Sequence, residues 1–132
     1  MKATANKLRI FVVEDEALLA TWMEDILVDL GHEVPVMATR LPEGCEIART
    51  GEFDLAILDV NLNGEPSYPI AEILRERGIP FVFSTGYGGN ELDPAFKNVP
   101  TLAKPYVIDD VERVVSSVML SSIVDVPEKH SK

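Results

Sequence analysis

The stretch LRIFVVEDE, residues 8–16, decides how the rest of the chain is read. Residues 8–13 form a near-continuous apolar run, the pattern of a strand covered on both faces; a strand with one wet face would alternate. The run then stops at Glu14, Asp15 and Glu16. A buried strand that ends in carboxylates points to a parallel sheet with chemistry at its carboxyl edge.

Moving outward, Leu19, Trp22, Met23, Ile26, Leu27 and Leu30 recur at helical spacing until Gly31, where a helix would stop. Residues 33–36 read as a short strand, and residues 41–50 as a helix carrying Leu41, Cys45, Ile47 and Ala48, closed by Gly51. DLAILDV (54–60) is a third strand, followed by a polar loop, NLNGEPS. A helix over 69–77 then places Ile70, Ile73 and Leu74 on one face, with Pro69 in the first turn, where its missing N–H costs nothing. Residues 81–84 and 101–103 read as the fourth and fifth strands. The last helix directs Val107, Ile108, Val111, Val114, Val115, Val118 and Met119 inward, with Asp109, Asp110 and Glu112 at the positive end of its dipole. Residues 126–132 read as a frayed tail. Between strands four and five only residues 91–96 suit a helix, and the glycines at 86, 88 and 89 together with Pro94 oppose it, so a short or irregular connection is expected. Strands alternating with helices in this way predict an α/β fold, a doubly wound five-stranded parallel sheet with helices on both faces.

Composition narrows the function classes. A chain of 132 residues with 46% hydrophobic content suits one packed core. The start, MKATANK, has no apolar signal region, and no stretch approaches the roughly 20 apolar residues of a membrane span, so a cytoplasmic protein without membrane association is expected. A net charge of −10, with twelve basic residues scattered along the chain, argues against direct binding of nucleic acid. The single cysteine, Cys45, has no partner for an internal disulfide and reads as a core or boundary residue. His32 reads as a turn residue, and His130 lies in the tail.

Ligands of an open parallel sheet bind beyond the carboxyl ends of its strands. Glu14, Asp15 and Glu16 end the first strand, Asp59 the third, Thr85 the fourth, and Lys104-Pro105 follows the fifth. Clustered carboxylates repel, so such a set calls for a hard divalent cation, and Mg2+ suits it by taking one or two carboxylates and keeping oxygen ligands for the rest of its octahedron. A carboxylate also attacks phosphorus to form an acyl phosphate, with a lysine and a hydroxyl to meet the phosphoryl oxygens. Taken singly, each of these residues is an ordinary solvated loop, turn or surface residue. The case rests on their meeting at one edge.

VVEDE (12–16), ILDVN (57–61), FSTGYG (83–88) and AKPY (103–106) together resemble the receiver domain of two-component response regulators, over residues 7–121. The resemblance implies a flavodoxin-like strand order, 2-1-3-4-5, with residues 1–6 and 122–132 as flexible termini. It implies that Asp59 is the phosphoacceptor, that Asp15 binds Mg2+ with Glu14 assisting, and that Asn61 offers its backbone carbonyl to the metal. Thr85 would hydrogen-bond the phosphoryl group and Lys104 would pair with it, followed by a cis peptide to Pro105. Two features depart from the usual pattern: Thr101 stands where receivers carry a switching aromatic, and TGYGG follows the fourth strand. Both are similar to the stand-alone receivers of the FAT GUY family, with Ser84 in place of alanine. That subgroup implies a sensor histidine kinase of the HWE type as partner, an unidentified downstream protein, and a bacterial signalling or stress role.

The expected function is thus a single-domain response regulator. It would accept a phosphoryl group on Asp59 and act by protein–protein contact or as a phosphate sink. It would not be an enzyme in the usual sense, although it would catalyse its own phosphorylation and dephosphorylation. Without the aromatic at 101, the expected switch is an order-to-disorder change in residues 86–98. A dinucleotide site fits poorly, since GYGGNE lacks the third glycine of its fingerprint. A haloacid dehalogenase phosphatase would require aspartate where Asn61 stands. The remaining alternative is a receiver-like interaction module that works without phosphorylation.

Overall fold

The computed structural model describes residues 7–86 and 92–130, with side chains described as far as Leu120 in the last helix. The chain runs β1 (Arg9–Val13), α1 (Ala17–Asp29), β2 (Glu33–Ala38), α2 (Leu41–Thr50), β3 (Leu55–Asp59), β4 (Asn61–Leu62), β5 (Glu65–Pro66), α3 (Tyr68–Arg77), β6 (Phe81–Thr85), a 3-10 turn (Pro94–Phe96), β7 (Thr101–Ala103) and α4 (Ile108–His130). The five longer strands make one parallel sheet in the order β2-β1-β3-β6-β7, the flavodoxin-like arrangement, and β4 and β5 form a separate hairpin.

The apolar runs are continuous because each face of the sheet has its own core. Phe11, Val13, Ala56, Leu58, Phe81 and Phe83 project to one side, where they meet Ala48 of α2 and Ile70, Ala71 and Leu74 of α3. Ile10, Val12, Leu55, Ile57 and Val82 project to the other, against Met23, Ile26 and Leu27 of α1 and Val111, Val115 and Val118 of α4. Successive strand residues point to opposite faces, so a strand covered twice must be apolar throughout. On the first side α2 and α3 lie close together at Gly44, where a Cβ would run into the buried Ile70 side chain.

The helix stripes depart from expectation in places. The buried stripe of α1 is Ala20, Met23, Ile26 and Leu27. Trp22 falls to one side of it and is 49% exposed, beside the still more exposed Leu18. Val107 and Ile108 are also exposed, because they stand at the entry of α4, before the stripe of Val111, Val115 and Val118. NLNGEPS is not a plain loop; it carries the β4–β5 hairpin, turned by Asn63 and Gly64 at φ 54° and 88°. The backbone of α4 is helical through His130, past the start of the expected tail. Cys45 packs half-buried against the first core. His32 accepts a hydrogen bond from Leu8 N–H through Nδ1 (3.1 Å), and burial lowers its pKa.

Between β6 and β7 the described residues hold a single 3-10 turn, Pro94–Phe96. The described part of this connection, from Leu92, is fastened to α3 through that turn. Phe96 is buried, stacks on Tyr68 at 5.1 Å between centroids, and meets Phe83 edge-on at 5.7 Å. The Arg75 guanidinium covers the same ring at 4.5 Å and donates to the Ala95 carbonyl. Tyr68 Oη accepts from Asp93 N–H (2.8 Å), and the Asp93 carboxylate accepts from Ala95 N–H (2.8 Å). Residues 87–91, including most of the TGYGG segment, lie outside the described residues.

Candidate functional site: an acidic cluster with a lysine

Register gathers the site. Val13 pairs with Leu58 and Asp59 with Ser84, so Glu14 and Asp59 stand side by side at the carboxyl edge, with Thr85 one residue beyond Ser84. Thr85 pairs with Ala103, and its carbonyl accepts from Lys104 N–H (3.0 Å), which brings the lysine to the same edge. The peptide from Lys104 to Pro105 is cis.

One oxygen from each of Glu14, Asp15 and Asp59 lies within 4.8 Å of the others. Lys104 Nζ lies 2.9 Å from Asp59 Oδ2 and 3.3 Å from Glu14 Oε1. Backbone N–H groups orient the carboxylates: Glu16 donates to Glu14 Oε2 (3.1 Å), Asn61 to Asp59 Oδ1 (3.2 Å) and Asn63 to Asp15 Oδ2 (2.9 Å). The β4–β5 hairpin therefore braces a carboxylate that arrives from β1. Asn61 helps shape the turn, since its side-chain oxygen accepts from Gly64 N–H (2.7 Å).

The cluster is poorly compensated. Burial, and then the charge of Asp59, push the Glu14 carboxyl up to about 7. Burial likewise raises Asp59, against the pull of Lys104. Burial would also raise Asp15, but the hydrogen bond from Asn63 leads a set of contacts that outweigh it and hold it below the usual range. Burial works against the charged form of Lys104, yet its bond to Asp59 raises it overall and keeps the ammonium charged. Three oxygen donors gathered this closely fit a hard cation such as Mg2+, since one positive charge from Lys104 does not balance them.

Of the residues singled out from sequence, Glu14, Asp15 and Asp59 gather together, Lys104 reaches Glu14 and Asp59, Asn61 adjoins Asp59, and Thr85 lies at the adjoining strand end. Glu16 is exposed and contributes its backbone N–H. Among the described residues, Thr85 Oγ1 and Ser67 Oγ are the buried side-chain atoms without a hydrogen-bond partner. Two groups escaped the sequence reading. Tyr106, buried, places its hydroxyl 3.0 Å from Glu14 Oε1 and 3.0 Å from Ser84 Oγ, and Asn63 supplies the N–H to Asp15.

Comparison with known proteins bears on the family and the fold. A scan against protein-family models finds no match. The structure of SdrG from Sphingomonas melonis Fr1 is 38% identical and superimposes with a TM-score of 0.78, covering 86% of this chain and 97% of that one. The phyllosphere-induced regulator PhyR of Methylorubrum extorquens is 29% identical over 118 residues, 83% of this chain and 43% of that protein. The response regulator REC domain of Erythrobacter litoralis PhyR shares the fold, with a TM-score of 0.72 at 22% identity, over 89% of this chain and 94% of that one. The chain spans between about a third and a half of the length of the curated relatives it matches. An acidic cluster on β1 and β3, a lysine before a cis proline and a receiver sheet order converge with these likenesses: the chain belongs to the receiver-domain family of bacterial response regulators.

Proposed function

We propose that Asp59 accepts a phosphoryl group from a sensor histidine kinase in a Mg2+-dependent reaction, and that the phosphorylated chain signals through a protein partner. The observation that carries this reading is the Lys104 ammonium 2.9 Å from Asp59 within a cluster of otherwise uncompensated carboxylates. An Asp59 oxygen attacks phosphorus, the P–N bond of the phosphoimidazole breaks with its electron pair going to nitrogen, and an acyl phosphate remains. Asp15 and Asp59 would hold the cation, with Glu14 assisting and the Asn61 carbonyl as a further oxygen ligand. The bound cation would supply charge neutralisation at the phosphoryl oxygens. Lys104 pairs with one of those oxygens, and the unpartnered Thr85 hydroxyl hydrogen-bonds another. Loss of the phosphoryl group to water resets the site. The kinase type suggested by the sequence is HWE, and the downstream role is docking on a target or draining a shared kinase. Among the described residues no helix is long and apolar enough to cross a membrane.

Intact mass spectrometry after incubation with acetyl phosphate tests the chemistry. One phosphoryl adduct is expected with Mg2+, and none with EDTA or in Asp59→Asn. If wild type gains no adduct and beryllofluoride leaves its NMR spectrum unchanged, the chain is an interaction module that works without phosphorylation.

A further inference from the structure

Beneath the acidic cluster runs a second polar layer. Ser84 and Tyr106 are as buried as Glu14, at 1%, 4% and 1% exposure. The tyrosine oxygen sits 3.0 Å from both the Ser84 hydroxyl and Glu14 Oε1. In the ionised state, the one that binds a cation, Glu14 only accepts, so the phenol, with one proton to give, donates to Glu14 and the serine hydroxyl donates to the phenol oxygen. The result is a two-bond chain from β6 through the segment after β7 to β1, in which each bond polarises the next.

The other partners of Glu14 show what this chain relieves. Its Oε2 accepts from Glu16 N–H at 3.1 Å, and its Oε1 faces Lys104 Nζ at 3.3 Å. Lys104 is also the cation that Asp59 engages, at 2.9 Å. Without the phenol, the buried Glu14 charge would draw the ammonium toward itself and away from Asp59. We propose that Tyr106, backed by Ser84, is a positioning residue of the phosphorylation site: it holds Glu14 in its metal-facing orientation and leaves Lys104 to Asp59, and so sets the affinity of the site for Mg2+. The inference rests on the receiver reading of Asp59 and Glu14.

Mg2+ titration followed by the amide NMR signals of Asp15 and Asn61 tests it without any turnover. Tyr106→Phe keeps the ring and loses the hydroxyl. Its Mg2+ dissociation constant is expected to rise roughly tenfold, the size carried by a hydrogen bond to a charged group. Ser84→Ala, which acts one bond further away, is expected to raise it about threefold. Added to Tyr106→Phe, Ser84→Ala should raise it no further. In the acetyl phosphate reaction the Mg2+ half-saturation should move with these constants, while the rate at saturating Mg2+ stays within about twofold, because bound cation replaces the missing compensation. A Tyr106→Phe protein that melts earlier but binds Mg2+ like wild type overturns the inference, since the ring and hydroxyl then serve packing alone. If that variant does not fold, Ser84→Ala decides: an unchanged constant overturns the inference. A wild-type chain whose Asp15 and Asn61 signals ignore Mg2+ refutes the receiver reading itself, and the inference with it.

Discussion

Glu14 is a carboxyl caught between burial and the charge of Asp59, and its pH behaviour follows. Its folded pKa, about 7, lies above the ordinary glutamate range, so between roughly pH 4.5 and 7 the folded chain keeps a proton that the unfolded chain has lost. Folding is therefore favoured below that window, and the advantage is lost as pH rises through 7. His32 acts in the opposite sense, because burial lowers it and folding loses ground as pH falls below its ordinary value. Comparing the wild type with Glu14→Gln cancels that second slope. Without metal, the melting temperature of the wild type should fall by several degrees relative to Glu14→Gln between about pH 5 and about pH 8. Parallel pH profiles for the two proteins would contradict this account of Glu14. Asp59, Asp15, Lys104 and Thr85 were legible in the sequence because each sits directly at a strand end. The hydroxyl contacts of Tyr106 were not, since its partners lie 92 and 22 residues away and a tyrosine after proline reads equally well as core.

At the scale of elements, the long strands were readable from their unbroken apolar runs. The β4–β5 hairpin was missed although it carries Asn63-Gly64, a pair suited to positive φ, because strands of two residues leave no alternating pattern. The fastening of the 3-10 turn bears on the expected switch over residues 86–98. Phe96 has three aromatic neighbours and a guanidinium against it, and residues 93–99 carry their own ladder, Phe96 N–H to Asp93 and Val99 N–H to Phe96. A change that freed this turn would have to expose a buried phenylalanine, at about 1.5–3 kcal/mol. Hydrogen exchange should therefore leave the Phe96 and Val99 amides protected when beryllofluoride is added, with any response confined to residues before Asp93. In Phe96→Ala those two amides should exchange freely even in the resting protein. Deprotection of Phe96 in the activated wild type would restore the longer switch.

The whole molecule carries a net charge of −10, much of it on solvated faces, and folding concentrates that charge. Raising NaCl from about 0.01 M to about 1 M shortens the Debye length from about 30 Å to about 3 Å, so the metal-free protein should gain several degrees in melting temperature. A flat response would show that pairs such as Lys7–Glu33 and Arg113–Asp110, which salt weakens, already offset the repulsion.

Trp22, set aside by the core stripe of α1, gives the molecule a built-in optical reporter. It is the only tryptophan, and its indole is half wetted in the folded state. A protein that covers α1 would dry the ring and shift its emission to the blue, whereas one that settles on α4 would leave the colour unchanged. Unlabelled protein and a fluorimeter thus suffice to tell which of these two helices, neighbours on one face of the sheet, a candidate partner chooses.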